Sequence, residues 1–273
     1  NITLGTGGNA LVSDLYATGN LITGNGGSLN GAFKLFCGGI TQNNSTIGFS
    51  GTATVEITGT GSWTGSTVGW GVNLIINCGG ANTFTIATSR IFGMYTTTPT
   101  LTYTSGTVVV SGFVTFYTCT LATNGMTWNQ VRMGTSSIGG QTITLSNNMS
   151  ISTSLQLQGN GSTTVNGNQI NLSGSFINAQ TSTAASGTTI INMNGTGSIS
   201  TSGTPTNWTN PVTINTAGTI TWSGSNTYSG NLVYTNGTIV STGSTLLRPA
   251  GTMTINATGF NLGTLSITGN SYF

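Results

Sequence analysis

Leu232–Gly243 reads LVYTNGTIVSTG, and Leu101–Gly112 reads LTYTSGTVVVSG. The two align position by position, Tyr103 with Tyr234 and Gly106 with Gly237. Further matches follow in the same order along the chain. TATVEITGTGS at 52–62 answers TTIINMNGTGS at 188–198, and NITL at the start returns as TITL at 142–145. Offsets of about 131 to 141 residues define two tandem copies of one unit, joined around 135–141. The expected division is therefore 1–138 and 139–273, two super-repeats of one continuous rod.

A shorter period lies inside each copy. In the second copy a glycine closes each apolar beat at Gly174, Gly195, Gly218, Gly237 and Gly259, and the steps between them are nearly even. The first copy has the corresponding set at Gly38, Gly59, Gly80, Gly106 and Gly125. Short strands, each ending in a turn glycine and recurring every ~20 residues, predict an all-β fold, a parallel β-solenoid (β-helix). One such coil is too small to bury its own apolar side, so coils must stack, each pairing its backbone with the next. A β-sandwich, the alternative, places its turns closer together and keeps no fixed coil length. Asn192, Asn215 and Asn256 are expected to stack as an amide ladder along the axis.

Composition agrees. Of 273 residues, 43 are glycine, 36% are apolar and only 2% are charged, against about 25% charged in ordinary soluble domains. No apolar run approaches the roughly 18 to 20 residues of a spanning helix. Helix formers are scarce, while Thr, Ile, Val and Gly dominate. The net charge of +2 arises from Lys34, Arg90, Arg132 and Arg248 against Asp14 and Glu56. Four scattered cations make no basic footprint, so no nucleic-acid partner is expected.

The chain offers little for catalysis. It has no histidine, and its two carboxylates, Asp14 and Glu56, are separated by about two coils. That separation, roughly 10 Å along the axis, exceeds the range of a water-activating pair. Asp14 and Glu56 are therefore expected to be isolated surface charges. Ser and Thr abound, but a nucleophile needs a base beside it. No catalytic residue, metal site or cofactor is assigned. Cys37, Cys78 and Cys119 fall at equal intervals of two coils each, too far apart for disulfides, which need Cα atoms within about 7 Å. They are read as free, small apolar residues.

The aromatic residues supply the remaining site candidates. Trp222 aligns with Ile86, and Trp63 with Ile199, in the other copy, an exchange typical of core positions. Trp70 and Trp208, beside turns, are the candidate glycan-stacking residues.

GTITWSGSNTYSGNLVYTNGTIVSTGSTL, 218–246, resembles the passenger repeats of autotransporter-type adhesins, right-handed parallel β-helices on bacterial surfaces. It is also similar to Thr/Asn/Gly-rich repeats of phage fibres and other virion structural proteins. The resemblance implies a non-enzymatic structural protein in an extracellular filament, a surface adhesin or a virion fibre. It would not be embedded in a membrane, and its partners would be further copies of itself. The alternatives are a glycan-binding attachment module, an ice-binding protein built on Thr-x-Thr ladders (Thr52/Thr54, Thr83/Thr85, Thr219/Thr221, Thr252/Thr254) and a polysaccharide-cleaving enzyme. Their ligands would be surface glycans or ice.

Overall fold

A computed structural model describes residues 1–43, 48–65, 67–94, 97–134, 140–159, 163–180, 186–202, 207–224, 226–241, 245–248, 252–255 and 266–269. The chain divides into two compact units, Asn1–Asn129 and Gln130–Phe273. Each is a parallel β-solenoid in which every coil contributes up to three short strands.

In the first unit, one stack runs through Ile2–Leu4, Asn20–Thr23, Gly39–Gln42, Gly61–Gly65, Thr83–Ile86 and Thr107–Val110, all paired in parallel. A second passes through Gly7–Ala10, Gly27–Asn30, the starts of Phe49–Ile57 and Trp70–Asn77, then Arg90–Phe92 and Phe113–Phe116. The third passes through Leu15–Tyr16, Lys34–Cys37, the ends of Phe49–Ile57 and Trp70–Asn77, Thr100–Ser105 and Cys119–Ala122. The strands expected before Gly38, Gly59, Gly80, Gly106 and Gly125 are those of this third stack.

Their counterparts in the second unit align Ile170, Ile191, Val212, Leu232 and Met253. Gly259, Asn256 and most of the expected junction (135–139) lie outside the described residues.

Alternation with period two sends one set of side chains inward. Leu35, Val55, Leu74, Leu101 and Leu121 align coil upon coil, and all are at most 1% exposed. Trp63 lies between Ile40 and Ile86, and Trp222 beside Ile199. An indole and an isoleucine thus fill the same interior row, as the exchange between copies implied. Coil length is less regular than the glycine spacing suggests. Leu35 pairs with Val55 across a short coil, whereas Leu74 pairs with Leu101 across a distinctly longer one.

The corners use one device in both units. Asn30 Oδ1 accepts from Thr52 N (3.3 Å) while Thr52 Oγ1 accepts from Gly31 N (3.1 Å). Asn166, Gly167 and Thr188 repeat the pair at 3.2 Å each. Gly51 and Gly187, just before these threonines, have φ of 141° and 135°. A Cβ on either would stand 1.9 Å from a carbonyl oxygen of the neighbouring coil. Only glycine fits there.

The asparagine ladder takes a different path. Asn192 donates to Asn171 Oδ1 at 3.0 Å and stands opposite Thr213, whereas Asn215 faces Asn236. The intervals between these asparagines do not follow the local coil length, so the expected row splits in two.

Candidate functional site

Outward positions are mostly Thr, Ser, Asn and Gly, and the lysine and both carboxylates lie together. Lys34 and Glu56 sit on the outer side of the third stack, where Leu35 and Val55 point inward. Lys34 Nζ lies 2.8 Å from Glu56 Oε2, and Asn77 Nδ2 donates to Glu56 Oε1 at 2.8 Å. Ser105 Oγ donates to Asn77 Oδ1 at 2.7 Å and accepts from Gly79 N at 3.1 Å. Four side chains from four successive coils therefore form one chain of hydrogen bonds.

Asp14, on the first coil, accepts the backbone N–H of Lys34 at 2.9 Å. This is a structural clip, because Asn148 does the same for Gln169 N (3.2 Å) and Asn231 for Thr252 N (3.2 Å).

Glu56 is not the isolated surface charge expected from the sequence. It is 6% exposed and flanked in register by Phe36 and Ile75. Burial opposes its ionisation. Hydrogen bonds from Asn77 and Lys34, together with the lysine's charge, outweigh that and hold the carboxyl below its ordinary value. Asp14 and Glu56 are indeed two coils apart, but the sequence reading missed Lys34 between them. The signal was available: the only lysine in the chain falls between its only two carboxylates.

Aromatic rings border this cluster. Tyr16 stacks on Phe36 with centroids 4.5 Å apart and planes 2° from parallel, and Lys34 Nζ lies 5.9 Å from the Phe36 centroid. Tyr16 is 72% exposed.

Trp70 and Trp208, the residues expected to stack on sugars, are both 0% exposed, which rules them out as surface platforms. Each falls on the inward phase of its coil. Trp70 aligns with Phe49 and Phe92, and Trp208 lies against Phe176 (4.7 Å) and Tyr228 (4.1 Å). Proximity to a turn was a poor guide, since strand phase sets side-chain direction.

The cysteines are free and buried. Burial pushes the Cys37 and Cys78 thiols up to about 11, and raises Cys119 as well. Among the described residues no three His, Cys, Asp or Glu side chains are grouped as a metal site would need. Buried Arg90 donates to the carbonyls of Thr88 and Gly65, tying a turn together.

Threonine pairs do not continue from coil to coil. Thr85 faces Val109, Thr221 faces Val240, Thr254 faces Val233, and Thr54 faces Lys34 and Asn73. Two shallow grooves, of about 280 and 270 Å³, lie beside Tyr103 and Met126 and beside Asn73 and Pro99 respectively.

Searches against family models, curated proteins and solved structures find no match to this chain. The site must be read from its own chemistry.

Proposed function

We propose that the chain is a non-enzymatic structural protein, a β-solenoid segment of an extracellular filament, surface adhesin or virion fibre that associates with further coils of its own kind. The observation that carries this reading is the repeated interior row of Leu35, Val55, Leu74, Leu101 and Leu121, each at most 1% exposed, in which every coil relies on its neighbours for burial and backbone pairing. Further copies, stacked in a contact that does not close on itself, would extend the same ladders. With few charges available, association should respond little to salt, or to pH between about 5 and 8. Sedimentation velocity over a concentration series, with electron microscopy of the same samples, tests the reading. Oligomers growing end to end are expected. A monomer that persists at high concentration would overturn it.

A second reading, attachment to surface glycans, is favoured by exposed Tyr16 and Phe33 (72% and 41%) near Lys34. A glycan array probes it, and loss of signal in Tyr16→Ala would locate the site.

A further inference from the structure

The geometry points to an intramolecular cross-link: Lys34 Nζ condenses with the side-chain amide of Asn77 and releases ammonia, with Glu56 as the proton shuttle. Four observations converge. A nucleophile (Lys34 Nζ), a carboxylate and a primary amide lie in sequence, with 2.8 Å on either side of the carboxylate. The two oxygens of Glu56 are divided between the reacting nitrogens, Oε2 to the amine and Oε1 to the amide nitrogen that would leave. Ser105 Oγ–H already donates to Asn77 Oδ1 at 2.7 Å, where negative charge develops when the carbonyl is attacked. Glu56 is shielded from water between Phe36 and Ile75.

The steps balance without an outside reagent. Glu56 Oε2 takes a proton from the Lys34 ammonium, freeing the nitrogen lone pair. Nζ then attacks Asn77 Cγ, and the oxyanion on Oδ1 is held by Ser105. Glu56 returns the proton to Nδ2 and the Cγ–Nδ2 bond breaks. The carboxylate takes the second proton from the now cationic Nζ and passes it to the departing ammonia, so that the neutral Nζ–Cγ amide remains. Nitrogen departs as ammonium, carrying away the lysine's positive charge, and Glu56 ends as it began, a carboxylate. Holding the partners two coils apart in a rigid stack, with Glu56 between them, replaces an encounter in solution, a large part of such a barrier.

The second unit provides the contrast. Aligning the two copies through their matched segments places Gln169 where Lys34 stands and Asn192 where Glu56 stands. It also sets Asn215 against Asn77, and Asn236 against Ser105. That row folds with amides alone, so the coils do not require a lysine and a carboxylate here. The bond would staple one coil to the next but one.

The test is the intact mass of the full chain, followed by peptide mapping under denaturing conditions. The expected result is a chain lighter than its sequence by one ammonia, with the Lys34 and Asn77 peptides joined. Succinimide formation at an Asn-Gly pair loses the same mass but joins no peptides. In Glu56→Gln the cross-link should be lost. Lys34→Arg, which keeps the charge opposite Glu56, should likewise remain linear while its circular dichroism still reports β-structure. A wild-type chain with a free, labelled Lys34 would overturn the proposal. A cross-link that survives in Glu56→Gln would overturn the role assigned to Glu56.

Discussion

Two outward rows occupy equivalent places in the two units and do different things. In the first, Lys34, Glu56, Asn77 and Ser105 leave neither oxygen of the carboxylate unpaired. In the second, Asn192 donates to Asn171 Oδ1, while its own Oδ1 is buried with no partner among the described residues. The interior rows beneath are alike, as are the Asn–Gly–Thr corners. Tyr103 and Tyr234 also match, their hydroxyls donating to Gly106 O and Gly237 O. One scaffold thus tolerates either a charged or a neutral outer row, because its stability resides in the backbone ladders and the apolar interior. Chemistry can be placed on it without altering the fold.

The largest effect should come from moving that chemistry. Gln169→Lys combined with Asn192→Glu rebuilds the reactive set against Asn215, and a second loss of ammonia is expected by mass spectrometry. Closing a loop of this length should add about 3–4 kcal/mol of stability by the chain-entropy argument. A linear second unit, with the first cross-linked, would show that Ser105 cannot be replaced by Asn236.

A smaller contrast lies in the core. Trp63 Nε1 donates to Gln42 Oε1 at 2.7 Å, whereas Trp222 Nε1 is buried without a partner among the described residues. Both become phenylalanine at a similar loss of volume, but only Trp63→Phe orphans a buried acceptor. Trp63→Phe should therefore cost about 1–2 kcal/mol more than Trp222→Phe in denaturant unfolding. Equal losses would mean that the Gln42 contact contributes nothing net.

The smallest effect is on pH dependence. Before the cross-link forms, while Lys34 keeps its charge, Glu56 titrates below its ordinary value in the folded chain. Its contribution is complete above the unfolded value, about 4.3, and is lost as pH falls through the folded value. Hydrogen exchange should then show the coils around Glu56 loosening in acid while the Gln169–Asn192 row, which has no ionisable group, does not. Glu56→Gln should erase the difference. Equal loosening of both rows in acid would contradict it.

Much of this was legible in the residues. The glycine spacing and the paired copies specify stacked parallel coils, because turn residues and period-two alternation act over a few positions. The interior roles of Trp63 and Trp222 could also be read, through their exchange with Ile199 and Ile86. Trp70 and Trp208 could not be placed this way, since their direction depends on strand phase inside coils whose length varies. The asparagine ladder failed for the same reason. A long coil, such as that from Leu74 to Leu101, shifts every row above it relative to a short one, such as that from Leu35 to Val55.

By itself the sequence determined the fold class, the repeat and the free cysteines, all properties of local spacing. Only the tertiary structure decided which residues meet. Lys34, Glu56 and Asn77 are separated by 22 and 21 residues along the chain, and stacking brings their side chains within hydrogen-bond reach. That convergence depends on the register of three coils at once, which no single stretch of sequence encodes.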